Sequence, residues 1–212
     1  MIEKAQRTAD WAGFELNLPA TQLLEALAYW LVAEAIPAGG LGPREGPRVW
    51  DRHIADSLAF ATAWDIAPEE ILDVGSGVGL PGLPLAVLWP ETTVTLLDRG
   101  GRRTRLLNRA VRILGLENVF VAQGDIFDVA DEWAGLTFRG SVKPAEAVGL
   151  SAKILTLPGT SVLGLSRRSE VPERSRDLIG IGGAMGMAME LQQVPAEVLD
   201  GGAWLLIMRT GV

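Results

Sequence analysis

The 212-residue sequence contains no cysteine and a single histidine. The lack of cysteine excludes disulfides, thiolate metal sites and covalent catalysis through a thiolate. With one histidine a zinc site is not expected either, and we predict no bound metal. No apolar run approaches the roughly 18 residues that a membrane span requires, and the N-terminal residues include no signal-peptide core. These absences predict a soluble, cytoplasmic protein without a membrane partner, and we expect it to be a monomer.

Basic side chains are fewer than acidic ones, which gives a net charge of −7. The basic side chains are unevenly distributed along the chain. Residues 1–98 hold 14 acidic and 5 basic side chains, a net −9, whereas residues 99–212 hold 12 acidic and 14 basic ones, a net +2. Residues 99–112 contain six arginines and no acid. A local basic face can bind nucleic-acid phosphates even on an acidic protein, although a solvated helix face is the ordinary explanation.

The chain changes from a helical pattern to alternating strands and helices near Ile71. Apolar spacing predicts helices over 18–36 and 48–64. Strands are predicted at 71–74, 93–98, 118–123, 135–139, 160–166, 187–194 and 203–208, with helices at 81–89, 101–115, 125–133 and 143–155 between the first five. This pattern predicts an α/β fold with a seven-stranded, mostly parallel sheet that ends in an edge hairpin.

Two further interpretations concern the organisation of the chain. Residues 1–66 are predicted to form an N-terminal helical cap, and residues 67–212 a Rossmann-like domain. The glycine-rich segment 180–189 is interpreted as a turn that leads to the edge strand.

The segment DVGSGVG, residues 73–79, follows the first predicted strand, where open α/β folds bind ligands. Residues 77–82 also match the GxGxxG pattern of dinucleotide sites. Asp73 would repel a pyrophosphate but suits the cationic ammonium and sulfonium of S-adenosylmethionine (SAM), whose binding loop has the pattern DxGxGxG. Asp98, at the end of the second strand, can accept hydrogen bonds from ribose hydroxyls of either ligand. We favour SAM, with NAD(P) binding and a ligand-free tight turn as alternatives.

Two segments resemble the bacterial glucose-inhibited division protein B family. They are VWDRHIADSL at 49–58 and LDVGSGVGLPGLPLAVLWPETTVTLLD at 72–98, and the preceding LGPREGPR is similar to actinobacterial members. The likeness extends from about Leu41 to Arg168. Members of this family methylate guanine N7 of small-subunit ribosomal RNA. The resemblance therefore implies a class I SAM-dependent methyltransferase, an enzyme that acts on 16S rRNA or the small ribosomal subunit.

The resemblance implies residue roles as well, and some positions depart from the family pattern. The family's Ala-Glu pair falls on Ile126 and Phe127, so Asp125 is the candidate for the adenine-side acid. Of its Ser-Arg-Ala motif only Arg139 survives, between Phe138 and Gly140. These departures keep two alternatives open: a diverged methyltransferase for another RNA or a small molecule, and a non-catalytic SAM-binding, ribosome-associated module.

The chemistry of guanine N7 fits the residues that the chain has. N7 carries a lone pair and no proton, so methyl transfer needs orientation of the two reactants and no general base. Cytosine C5 methylation would need a cysteine, and ribose methylation commonly uses several lysines, of which the chain has three. Arg139 can donate to guanine O6, to a phosphate or to the SAM carboxylate, unless it is an ordinary surface arginine.

The predicted sites can be stated by residue. The cofactor site comprises Asp73, Gly75, Ser76, Gly77, Gly79, Leu80, Asp98, Asp125, Ile126, Phe127 and Arg139. The substrate site comprises His53, Asp56, Arg102, Arg105, Arg167 and Arg168, and Arg139 is the predicted catalytic residue. The alternative for His53 and Asp56 is a structural role in docking the cap onto the sheet.

Overall fold

The structure is a computed structural model that describes residues 2–166 and 170–211. Its strands are β1 (Glu70–Val74), β2 (Thr93–Asp98), β3 (Val119–Gln123), β4 (Trp133–Phe138), β5 (Leu155–Ser166), β6 (Ala188–Val194) and β7 (Ala203–Thr210). They form one sheet in the order β3-β2-β1-β4-β5-β7-β6. The first five are parallel, and β7 runs antiparallel between β5 and β6. The predicted mostly parallel sheet with its terminal hairpin is confirmed.

The α-helices are α1 (Ile2–Trp11), α2 (Leu18–Trp30), α3 (Ala55–Leu58), α4 (Gly82–Leu88), α5 (Gly101–Leu114), α6 (Pro144–Ile154) and α7 (Ser175–Ala184). A π-helical turn, Leu31–Ala35, extends α2, and α3 lies between a π-helical turn, Val49–Ile54, and a 3₁₀ turn, Ala59–Ala63. The Asn17 side chain accepts a hydrogen bond from the Ala20 amide, 2.9 Å, and so begins α2. None of these helices is long and apolar enough to cross a membrane, in the described part of the chain.

Apolar side chains cover both faces of the sheet. On one face, Leu24 and Trp30 of α2 belong to the same buried cluster as Leu83 of α4 and Leu96 of β2. On the other face, α6 and α7 pack on a second cluster that includes Phe138. The N-terminal helices therefore bury their apolar side against the α4 and α5 side of the sheet.

One local prediction is wrong and a second is right only in part. The predicted helix at 125–133 is only a 3₁₀ turn, Ile126–Asp128, because the Asp125 carboxylate caps the Phe127 amide at 3.1 Å and the chain then becomes extended. The segment 180–189 is a turn only at Met185 and Gly186, which lead to β6 as predicted, because α7 continues through Gly180, Gly182 and Gly183 to Ala184. A Cβ at Gly182 would lie 2.2 Å from Met189 Sδ, so the glycine lets α7 pack closely on β6.

Candidate functional site

Two neighbouring pockets open at the carboxyl ends of the parallel strands, where α/β sheets of this type bind ligands. The central pocket, about 290 Å³, is bordered by the ends of β1 and β2 and by the segments that follow β3 and β4. The side pocket, about 270 Å³, lies between the ends of β4, β5 and β7 and the cap residues Asp56 and Phe60. Both pockets are bordered by Gly140. A ligand in one pocket would therefore adjoin a ligand in the other.

The glycine loop forms one wall of the central pocket. Gly75, Gly77 and Gly79 all have positive φ, which side chains rarely adopt. Gly75 borders the pocket, and a Cβ there would lie 2.5 Å from Ser141 Cβ. The loop can follow this path only with glycine at that position.

The other predicted residues of the loop do not reach the pocket. The Ser76 hydroxyl donates to the Asp73 carbonyl, 2.9 Å, and Ser76, Val78 and Leu80 are buried. Ser76, Gly77, Gly79 and Leu80 do not border the central pocket, which Gly75 reaches alone from this loop. Their part in cofactor binding stays a prediction.

Asp73 does not border the pocket either, because its carboxylate is buried between β1, β4 and α4. Its Oδ1 accepts a hydrogen bond from the Thr137 hydroxyl, 2.8 Å, and its Oδ2 accepts one from the Gly82 amide, 3.1 Å. Burial raises the pKa of Asp73, and hydrogen bonds from these groups oppose that rise only in part. The carboxylate thus joins the two ends of the loop to β4.

Asp98 borders the central pocket and also fixes its walls. Its Oδ1 accepts from the Gly100 amide, 2.8 Å, and its Oδ2 accepts from the Gly77 amide, 3.0 Å. Arg103 lies near the same carboxylate, with Nη1 3.6 Å from Oδ2. A carboxylate has about four acceptor positions, so Asp98 can still accept hydrogen bonds from a ligand.

The wall opposite the loop is formed by three residues that the sequence predicted together. Asp125, Ile126 and Phe127 all border the central pocket, and Phe127 is 54% exposed there. The Asp125 cap at the Phe127 amide holds this short turn against the pocket. The wall combines an acceptor with an apolar face, which suits a nitrogen heterocycle that has an amino group.

Several residues of the central pocket were missed by the sequence reasoning. Arg99 and Arg103 border it at the start of α5, and Ser141 and Glu146 border it after β4. The Ser141 Oγ is buried without a hydrogen-bond partner among residues 2–166 and 170–211. Only their position in the sequence could have indicated these residues. Arg99 directly follows Asp98, and Ser141 directly follows Gly140.

Arg139 is placed in the side pocket and connects β4 to the cap. Its Nε and Nη2 donate to Asp56 Oδ2 at 3.1 and 3.0 Å, and Nη2 also donates to the Arg52 carbonyl at 2.9 Å. The Asp56 residue is 9% exposed, so this ion pair is largely desolvated. The predicted substrate residue Asp56 and the predicted catalytic residue Arg139 therefore meet directly.

His53 lies behind this ion pair. Its Nδ1 is 3.5 Å from Arg139 Nη2, and its Nε2 is 2.9 Å from Glu45 Oε2. Because a guanidinium can only donate, Nδ1 is the acceptor and Nε2–H donates to Glu45. Burial, and then the charge of Arg139, lower the pKa of His53, so the ring is neutral near pH 7. His53 holds the arrangement in place from the cap side.

The predicted arginine face forms a groove between α5 and the segment that follows α2. This arginine groove is bordered by Gly39, Arg102, Arg103, Arg105 and Arg109 and has a volume of about 510 Å³. Arg102 Nη2 donates to the Ala38 carbonyl, 2.6 Å, and Arg109 forms an ion pair with Glu34. The predicted substrate residues Arg167 and Arg168 lie outside the described residues.

No group of three or more histidine or acidic side chains placed to hold a metal ion occurs within residues 2–166 and 170–211.

The strand order, with β7 antiparallel between β5 and β6, and the glycine loop after β1 define the Rossmann-like fold of class I SAM-dependent methyltransferases. Solved structures share this fold at low identity. The fibrillarin of Aeropyrum pernix is 18% identical with a TM-score of 0.52, over 66% of each chain. The YcgJ protein of Bacillus subtilis is 16% identical with a TM-score of 0.55, over 72% of this chain and 96% of that one.

The sequence also matches one family within this class. The family model described as rRNA small subunit methyltransferase G (GidB) matches residues 21–178, and the chain belongs to this family. The proteins named Ribosomal RNA small subunit methyltransferase G from Salinispora tropica and Salinispora arenicola are 38% and 36% identical, over 71% and 84% of this chain. The matched segments span 65% and 76% of those relatives. The family membership that the sequence motifs predicted is confirmed.

Proposed function

We propose that this protein is a SAM-dependent methyltransferase that transfers a methyl group to guanine N7 of 16S ribosomal RNA. Membership of the family supports the reaction, and the observation that carries it is the pair of adjoining pockets that share Gly140. One pocket is suited to a nucleoside cofactor, and the other presents Arg139 beside it. A methyl donor and a methyl acceptor need this adjacency, because the transfer is a direct displacement.

The residues of the central pocket fit SAM. Asp98 has acceptor capacity for the ribose hydroxyls, and Asp125 can accept from the adenine amino group beside the exposed ring of Phe127. The unpartnered Ser141 Oγ and the nearby Arg99 offer donors for the methionine carboxylate. When bound, SAM supplies an electrophilic methyl group. The charges of this pocket do not separate SAM from NAD(P), because Arg99 and Arg103 border it and Asp73 does not, and family membership is what favours SAM.

The chain's own contribution to the reaction is orientation. The N7 lone pair is available at neutral pH, so no side chain has to remove a proton. The Arg139 guanidinium is fixed through Asp56 and the Arg52 carbonyl, and it can hold the acceptor base next to Gly140. A neutral His53 fits this assignment, since it serves as a buried support and not as an acid or base.

RNA would reach the site across the arginine groove. Arg102 and Arg105 border this groove. Residues 99–112, which include both arginines, contain no acidic residue. Cations placed this way neutralise phosphates and contribute affinity that depends on salt. The division at residue 66, the cytoplasmic location and the monomeric state stay predictions.

The test is incubation of the protein with methyl-labelled SAM and either small ribosomal subunits or protein-free rRNA. We expect label in RNA as N7-methylguanosine and a strong loss of transfer with Arg139→Ala. Calorimetry with SAM and with NAD distinguishes the two cofactor classes independently of transfer. SAM binding without label in either RNA would contradict the proposed substrate and favour another RNA, a small molecule or a non-catalytic role.

A further inference from the structure

The side pocket has apolar walls that come from both the cap and the sheet. Phe60 faces it from the 3₁₀ turn after α3, Leu165 from β5, and Trp204 and Leu205 from β7. Phe60 is 2% exposed and Trp204 is 8% exposed, so both aromatic side chains are held firmly by their surroundings. They bound the pocket with little exposed ring surface, so a flat base in this pocket would contact their edges.

The position of Phe60 beside the side pocket depends on a glycine. Gly164 in β5 borders the pocket, and a Cβ at this position would lie 3.0 Å from Phe60 Cζ. Gly164 has no positive φ, so its backbone would tolerate a side chain. Glycine at this position therefore lets the Phe60 ring lie directly against β5 at the edge of the pocket, and conformational freedom does not explain it.

One edge of the side pocket is polar and consists of Arg139. Its Nε and Nη2 are engaged by Asp56 and the Arg52 carbonyl, which fixes the plane of the guanidinium. Its Nη1 donates no hydrogen bond to any residue in 2–166 or 170–211. Two N–H donors thus remain for a ligand in a pocket bordered by this side chain.

We propose that the side pocket is the binding site of the target guanine base, unstacked from the RNA, with its O6 accepting hydrogen bonds from Arg139 Nη1. This inference rests on the proposed function and names the base site within it. In guanine O6 adjoins N7, so a base held at O6 by Arg139 presents N7 toward Gly140 and the central pocket. Adenine carries an amino donor in place of O6 and would leave Arg139 Nη1 facing another donor. Enzymes that modify a base commonly bind it outside the stack, as this site requires.

The test is to displace Phe60 at the edge of the pocket with one methyl group. Gly164→Ala places a methyl against Phe60, and Gly149→Ala, a matched control, adds a methyl on α6 with nothing within 4 Å of it. We expect Gly164→Ala to lower kcat/KM for small ribosomal subunits on the order of 10²-fold, as misplacement of a reacting group does. The dissociation constant for SAM, measured by calorimetry, should stay within about twofold, and Gly149→Ala should change neither quantity by more than that.

A second variant distinguishes a loss of base binding from a folding defect. Phe60→Leu keeps an apolar side chain but removes the aromatic wall, and thermal unfolding shows whether each variant is folded. A folded Phe60→Leu protein should also lose kcat/KM for RNA and keep SAM affinity. If the wild-type protein methylates RNA and both variants have the same kcat/KM as the wild type, the base site is refuted. The proposed function would then still stand. Absence of transfer by the wild-type protein would refute the proposed function itself.

Discussion

The ion pair between Arg139 and Asp56 connects the cap to the sheet, and its removal allows a quantitative test of the site. Arg139→Met keeps the apolar stem of the side chain but leaves the Asp56 carboxylate, 9% exposed, without its two hydrogen bonds from the guanidinium. Hydrogen bonds to charged groups contribute about 1.5–3 kcal/mol to stability. Asp56 keeps another interaction and the Arg139 side chain is 22% exposed, so we expect a loss of about 2 kcal/mol.

The double variant Arg139→Met, Asp56→Leu removes the carboxylate together with its partner. It should cost less than the sum of the two single variants, with a coupling energy of about 2 kcal/mol. Other interactions of Asp56 cancel in this cycle where they are independent of Arg139. Urea unfolding of the four proteins, with m-values compared, gives the free energies of unfolding. A coupling energy below about 0.5 kcal/mol would refute the inference that this pair anchors the cap to β4.

Three further predictions concern the cofactor loop, the buried histidine and the arginine groove. Gly75→Ala should weaken SAM binding at least tenfold, because a positive φ costs an L-residue about 1–2 kcal/mol and its Cβ would lie 2.5 Å from Ser141 Cβ; calorimetry with unchanged affinity would contradict this. The pKa of His53 is lowered in the folded protein, so its contribution to stability is present above about pH 6.5 and is lost as the pH falls toward the folded pKa. His53→Gln should therefore lose less unfolding free energy than wild type between about pH 7.5 and 5.5, and equal losses in urea titrations would disprove it. Replacing Arg102 and Arg105 with Gln should reduce the slope of log affinity for rRNA against log salt by about 0.7–0.9 for each phosphate that is no longer neutralised, and an unchanged slope in filter-binding assays would exclude both residues from RNA binding.

The central pocket shows what local sequence can predict. The glycine pattern at 73–79, Asp98 and the segment 125–127 all lie at or just after the end of a strand, and the carboxyl ends of parallel strands meet at one edge of the sheet. Gly75, Asp98, Asp125, Ile126 and Phe127 accordingly border the same pocket. For these residues, knowing the strand that precedes them is enough to place them.

The role of Asp73 shows where such reasoning stops. The sequence places this carboxylate beside the loop, but its orientation toward Thr137 and Gly82 depends on β4 and α4 packing around it. Similarly, Gly182 of α7 looks like part of a turn, and only the close approach of Met189 explains why the helix has a glycine at this position. In both cases a distant residue outweighs the local preference.

The sequence by itself determined the class of fold, the position of the cofactor loop and the family, because strand pattern, glycine spacing and the motif at 49–58 are local along the chain. Tertiary structure alone decided the side pocket, whose walls come from Phe60, Arg139, Gly164 and Trp204. These residues are far apart in sequence and share no periodicity. They meet only because the cap docks beside the carboxyl ends of β4 and β5, and because β7 inserts next to β5.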